Sequence, residues 1–288
     1  MIKIKRCLIV GCGATGVRVA ARAVAAGYRV DAIVQSAASA RRARAIGAYA
    51  QAIDLDQADF DVAPAERFFY FAPPPRNGRT DSRLARVLKR LNTDTKPRAT
   101  VYISTAGVYG DTGGDWVDEN ARLAPGTDRA VRRVDAEQQV KAFDHNARIL
   151  RAPGIYGPGR LPIAAIRAGE PILADAEAGW RNRIHVDDLA EIAWRASAAD
   201  WPPGVINASD GHPSSLGDYY DAIADMLGVP AVPRIGWAEA EQRFSAMRLS
   251  FLRESRRLDN RCLVAALGRE PRYANFRQGL AASLPAEV

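Results

Sequence analysis

Gly11, Gly13 and Gly16 form a Gly-x-Gly-x-x-Gly directly behind the apolar run Cys7-Leu8-Ile9-Val10. That order describes a strand turning sharply into a helix. The first glycine permits the tight turn, the second lets backbone approach a ligand, and the third lets helix and strand pack closely. The amides around Ala14 to Val17 then stand at the positive end of a helix dipole, an arrangement suited to a pyrophosphate. A tight turn needs its glycines with or without a ligand. The residues beyond the turn favour the nucleotide reading: 15–26 read as a helix, Gly27 as its C-terminal cap and 29–34 as the next strand.

Short apolar runs and helical stretches continue to alternate. Strands are expected at 49–53, 68–71, 99–104 and 147–151, with helices at 81–91 and 127–143. This pattern predicts an α/β fold, a doubly wound parallel sheet of the Rossmann type. Ligands in that architecture bind beyond the carboxyl ends of the strands. The candidate cofactor positions are therefore residues 11–16, Gln35, Ser36, Asp54, Ala72, Pro73, Ser104 and Pro153, with Thr105 beside them. After Pro153 the chain becomes richer in Pro and Gly. Residues 1–156 are expected to form the dinucleotide-binding domain, with 183–208 (helix 186–198, strand 204–207) returning to it. Residues 157–182 and 209–288 would make a smaller C-terminal substrate lobe.

With 48% hydrophobic and 25% charged residues in 288, the chain can bury a sizeable core. The early apolar stretch, broken by three glycines and bounded by Arg6 and Arg18, fits neither a signal peptide nor a membrane span, so a cytoplasmic protein is expected. Cys7, Cys12 and Cys262 lack metal-ligand spacing and read as core thiols. His145, His185 and His212 are scattered, so no metal is expected. The net charge is +7, but no aromatic residues interleave with the arginine-rich segments. A small anionic ligand fits better than nucleic acid.

Three further motifs are specific. Ser104-Thr105-Ala106-Gly107-Val108-Tyr109-Gly110, residues 150–160 (Leu-Arg-Ala-Pro-Gly-Ile-Tyr-Gly-Pro-Gly-Arg) and Arg183-Ile184-His185-Val186-Asp187-Asp188-Leu189-Ala190 come after the glycine turn in order. In order and spacing they resemble the extended short-chain dehydrogenase/reductase (SDR) family of NAD(P)-dependent sugar epimerases and dehydratases. That resemblance runs from about residue 6 to residue 211. It implies a Tyr-x-x-x-Lys on the long helix and a Ser or Thr after the fifth strand. Thr105 matches the hydroxyl, which would bind the substrate oxygen. Counting back from Ala136-Glu137, the Tyr slot holds Arg129 and the Lys slot Arg133. Arginine, with a pKa above about 12, cannot exchange a proton near neutrality as those residues do. Arg133 could still grip a ribose hydroxyl or phosphate, and Arg129 an anionic substrate. In lacking the pair the chain resembles the atypical, YeeZ-like group.

Tyr109 and Tyr156 lie after strand ends, where a side chain can do acid/base or substrate-binding work; for Tyr109 a packing role stands beside the catalytic one. Arg160 and Arg183 are further candidates for an anionic substrate. His185 reads either as a cap for the helix containing Asp187 and Asp188 or as a substrate contact, and those two carboxylates read as N-terminal helix charges. The second strand ends Val34-Gln35-Ser36 without an acid, and Ser36, Arg41 and Arg42 could hold a 2′-phosphate. NADP is therefore favoured over NAD. Asp31 sits in mid-strand and is discounted, whereas Asp54 either contacts adenine or closes a simple turn. Two functions remain: an oxidoreductase or epimerase-like enzyme of unspecified substrate, and a non-catalytic NADP-binding redox sensor or scaffold.

Overall fold

The computed structural model describes residues 4–57, 59–91 and 96–284. Its centre is a seven-stranded sheet of β1 (Arg6–Val10), β2 (Arg29–Val34), β3 (Tyr49–Ala52), β4 (Arg67–Tyr70), β5 (Ala99–Thr105), β6 (Arg148–Ala152) and β7 (Gly204–Asn207). The spatial order is β7-β6-β5-β4-β1-β2-β3. Pairing is parallel from β3 through β2, β1 and β4 to β5. Strand order therefore reverses at β1, and the crevice outside such a reversal is where an open α/β sheet receives ligands. Cys7 to Val10 and Phe68 to Tyr70 are almost wholly buried, as strands covered on both faces must be.

The helices are α1 (Ala14–Ala25), α2 (Ala37–Ala45), α3 (Ser82–Leu91), α4 (Asp128–Phe143) and α5 (Val186–Arg195). Their ends follow local chemistry. α1 closes through Gly27 at φ +78°, with Gly27 N–H donating to Val24 O and Tyr28 N–H to Ala23 O, the paired bonds of a Schellman ending. The Ser36 side chain caps α2 by accepting from Ser39 N, and Asp81 caps α3 by accepting from Leu84 N. Asp81 thus precedes α3 instead of opening it, and α5 stops at Arg195, three residues short of the expectation, in a series of turns.

The chain divides into two compact units, one of residues 1–108, 128–151 and 189–206, the other of 109–127, 152–188 and 207–288. This differs from the sequence expectation in four segments, 109–127, 152–156, 183–188 and 207–208, all of which fall in the second unit. Residues 109–127 belong to the second unit because Trp116–Val117 pairs with Arg257–Leu258. Residues 183–188 belong there because Arg183–His185 pairs in parallel with Gly154–Tyr156.

Within the first unit a buried ion pair fastens α4 to the sheet. Arg151 on β6 donates Nε and Nη2 to Glu137 of α4 at 3.0 and 2.7 Å, and Ser104 of β5 donates Oγ to the same carboxylate at 2.6 Å. All three residues are at most 3% exposed. Because a buried charge left alone is far costlier than a pair removed together, Glu137→Leu is expected to lower folding stability by about 3–5 kcal/mol. Glu137→Leu/Arg151→Leu should recover much of that loss, with both read from urea unfolding followed by circular dichroism.

Candidate functional site

The glycine turn places backbone where side chains would block it. Gly11 sits at φ +92°, and a Cβ there would lie 2.3 Å from Ala72 N, because Phe71 and Ala72 at the end of β4 both donate N–H to Val10 O. A Cβ on Gly16 would lie 2.7 Å from Gly11 O. At Gly13, by contrast, a Cβ would meet no protein atom within 4 Å. Gly13 is the N-cap of α1 and supplies no side-chain acceptor. The first-turn amides of Ala14, Thr15 and Gly16 are therefore left to an outside acceptor. That is the arrangement expected for a pyrophosphate.

Beside the turn opens a cleft of about 390 Å³ at the carboxyl ends of β1 to β4, bordered by Gly11, Val34, Gln35, Asp54, Ala72 and Pro73. Of these, Gly11, Gln35, Asp54, Ala72 and Pro73 are expected from the sequence, and the fold brings them together there. Arg83 in the first turn of α3 also lines the cleft, although no motif points to it. It donates Nη1 to Pro73 O at 3.2 Å and Nε to Asp56 at 2.7 Å, so it ties the β3 and β4 loops together. Its only sequence signal is its place just after the Asp81 cap. Asp54 accepts from Asp56 N at 2.9 Å and so also closes a turn. Mid-strand Asp31 is occupied by Arg6 at 2.8 Å, as its discounting requires.

The hydroxyl of Ser36 is taken up by Ser39, which also accepts Arg42 Nη2 at 2.9 Å. Arg41 is exposed. Burial pushes the Cys12 thiol up to about 12, partly offset by the charge of Arg42. Of the two arginines, Arg42 is the one bonded into the Ser36–Ser39 cap of α2.

At the end of β5, Thr105 Oγ accepts from Gly107 N at 3.2 Å, leaving the hydroxyl hydrogen available to an outside acceptor. Arg129 and Arg133 lie four residues apart on α4, hence on one face. Arg133 Nη1 donates to Tyr102 Oη at 2.9 Å and to Ile103 O at 3.1 Å. Burial pushes the Tyr102 phenol up to about 12, so at neutral pH it is a neutral partner. The Nε and Nη2 hydrogens of Arg133 have no hydrogen-bond partner among the described residues. Ser104, expected at the cofactor, is instead committed to Glu137 in the core.

Several expectations in the second unit are corrected. Tyr109 is 1% exposed and donates to Asn207 Oδ1 at 2.7 Å, a packing role. Tyr156 is buried against Gly279, where a Cβ would meet its hydroxyl; it is a core residue and not a substrate ligand. Arg183 donates Nη2 to Ser215 O at 3.2 Å and lies over Tyr219, 4.2 Å from the ring centroid, and is buried, so it packs internally. Arg160 is exposed and bonded to Ile155 O, and Pro153 is partly buried after β6. His185 Nδ1 accepts from Asp187 N at 3.2 Å and thereby caps α5. Asp188 is no simple helix charge: its two oxygens accept from Arg272 N and Tyr273 N. Cys7 and Cys12 are buried, but Cys262 is exposed and not a core thiol. Among the described residues no His, Cys, Asp and Glu cluster could hold a metal, and no helix is long and apolar enough to cross a membrane.

Residues 75–209 match the model of the NAD dependent epimerase/dehydratase family. No curated protein sequence matches the chain. Among solved structures, a functionally unknown conserved protein from Silicibacter pomeroyi shares 29% identity at TM-score 0.84, over 96% of this chain and 97% of that one. The human epimerase family protein SDR39U1, solved with NADPH, shares 18% at TM-score 0.75 over 96% and 97%. The Bordetella bronchiseptica enzyme WbmG, solved with NAD, shares 18% at TM-score 0.77 over 98% and 93%.

The glycines of this epimerase/dehydratase-like fold should separate on substitution. Gly11→Ala is expected to cost at least about 2 kcal/mol, because both its φ and its contact with backbone are violated. Gly13→Ala should cost less than about 1 kcal/mol, since its φ of −81° suits any residue and the space is open. Thermal unfolding of the two variants would check the ordering.

Proposed function

We propose that the chain binds a nicotinamide dinucleotide, NADP in preference to NAD, and acts as an oxidoreductase or epimerase-like enzyme on a small anionic substrate. The observation that carries this reading is the uncapped start of α1 behind the open space at Gly13. There the amides of Ala14, Thr15 and Gly16 would hold the pyrophosphate, and the cleft from Val34 to Asp54 would take the adenosine half. Arg42, bonded to Ser39 beside Ser36 just after β2, would meet the 2′-phosphate, with Arg41 one residue away and no acid at the end of β2 to repel it. The half-used guanidinium fork of Arg133 would hold the nicotinamide ribose. Free buried thiols at Cys7 and Cys12 suit a reducing, cytoplasmic setting.

The bound cofactor supplies hydride transfer. Thr105 would donate its hydroxyl hydrogen to the substrate oxygen, and Arg129 would attract the substrate's negative charge. Neither arginine can serve as general acid near neutrality, so proton delivery falls to water or to another group. The same two arginines favour the second reading, a non-catalytic NADP-binding sensor.

Calorimetric titration of the wild type should give NADPH at least about tenfold tighter binding than NADH, with Arg42→Ala narrowing the gap by roughly 1.5–3 kcal/mol. Gly13→Val should abolish binding in a folded protein. Equal affinity for the two cofactors, or unchanged affinity in Gly13→Val, would overturn the assignment.

Arg129→Tyr/Arg133→Lys tests what the slots have lost. Wild type should turn over simple carbonyl substrates with NADPH slowly or not at all, and the double variant should gain measurable turnover that Thr105→Val removes. Fast wild-type turnover that survives Thr105→Val would place the chemistry elsewhere. Tight NADPH binding with no turnover by either protein would support the sensor.

A further inference from the structure

The opposite end of the sheet holds a second polar cavity. It lies at the amino ends of β4 and β5, opens to solvent, and is lined by Tyr28, Glu66, Arg67, Arg98, Ser197 and Ala198 among others. Arg67 is the first residue of β4, and its guanidinium is fixed from three sides. Nη1 donates to Ser197 Oγ at 2.8 Å, and the guanidinium carbon lies 4.9 Å from the Tyr28 ring centroid and 4.4 Å from that of Trp194. Aromatic faces hold a guanidinium flat while leaving its edge donors available.

The charges around this cavity are unevenly satisfied. Arg6 and Arg29 at the same end of the sheet share Asp31. Among the described residues, neither Arg67 nor Arg98 has a carboxylate within ion-pair distance. Behind the wall, Arg148 is 7% exposed, donates Nη2 to Trp201 O at 3.2 Å and to Ala198 O at 3.5 Å, and has no partner for Nε. Three guanidinium groups thus face or adjoin one small cavity against the single carboxylate of Glu66. The excess favours an anion, while the carboxylate of Glu66 disfavours a highly charged polyphosphate or nucleic-acid backbone.

We infer that this cavity is a binding site for a compact oxyanion, a carboxylate or phosphate of a small molecule, gripped by Arg67 and Arg98. The planar fork of Arg67, already oriented by Tyr28, Trp194 and Ser197, loses little freedom on binding such a group. The site lies at the amino ends of the strands, whereas the dinucleotide cleft lies at their carboxyl ends.

The test titrates the full chain with inorganic phosphate and, separately, succinate, against sodium chloride at matched ionic strength, with calorimetry and tryptophan fluorescence as readouts. Trp194 stands against Arg67 and should report occupancy. Saturable binding is expected for at least one anion, and which one binds tells phosphate from carboxylate. Arg67→Gln should weaken it about tenfold or more, and the exposed Arg98→Gln, which has little reason to disturb folding, severalfold. Gly13→Val should leave it unchanged. Binding lost in Gly13→Val but retained in Arg67→Gln would assign the anion to the glycine turn and overturn the proposal. So would binding equal in wild type and both arginine variants, or no saturation by either anion. None of these outcomes depends on whether NADPH binds, so the proposal and the cofactor assignment fail separately.

Discussion

At Gly11 the backbone leaving β1 passes so close to Ala72 at the end of β4 that a single added carbon would fall 2.3 Å from its amide nitrogen. Most of the first unit's arrangement beyond the sheet depends on that approach. It sets the start of α1, since Gly16 must in turn clear Gly11 O. It also brings the β4 loop alongside the glycine turn at the reversal of strand order. A larger residue at either glycine would push the helix off the sheet and spread the crevice into which its amides point.

A second constraint acts on the other side of the sheet. The carboxylate of Glu137 gathers Arg151 and Ser104 into a buried knot that fixes α4 over β5 and β6. Arg133, one turn earlier on α4, is thereby held against Tyr102 and the carbonyl of Ile103. The slot residues differ from those of the resembled family, yet the frame around them is rigid. A chain of this kind can lose an acid/base pair and keep its fold because the fold rests on the buried knot and the glycine contacts.

Arginine is used in three physical ways in this molecule. Some side chains neutralise acids, as Arg6 does with Asp31. Others tie loops through carbonyl groups, as Arg83 does with Pro73 O. A few, such as Arg67, are braced by aromatic rings with donors left over. The net charge of +7 cannot distinguish among these uses, and only the last combines fixed geometry with unspent charge.

The sequence by itself determined the sheet, its helices and the glycine turn, because periodicity and glycine spacing are local consequences of backbone sterics. It also placed Gln35, Asp54, Ala72 and Pro73 correctly at strand ends, since every parallel strand in such a sheet ends on the same side. Whether a polar side chain faces a cleft or the core was decided only by tertiary packing. Ser104 and Thr105 are neighbours in sequence, yet one is sealed against Glu137 and the other bonds Gly107 N, because successive residues on a strand point to opposite faces. Tyr109, Tyr156 and Arg183 carry chemically capable groups that Asn207, Gly279 and Tyr219 enclose from far along the chain. Arg83 and Arg67 emerged for the same reason. Their partners, Pro73 and Asp56 for one and Tyr28, Trp194 and Ser197 for the other, meet them only once distant strands and helices have packed.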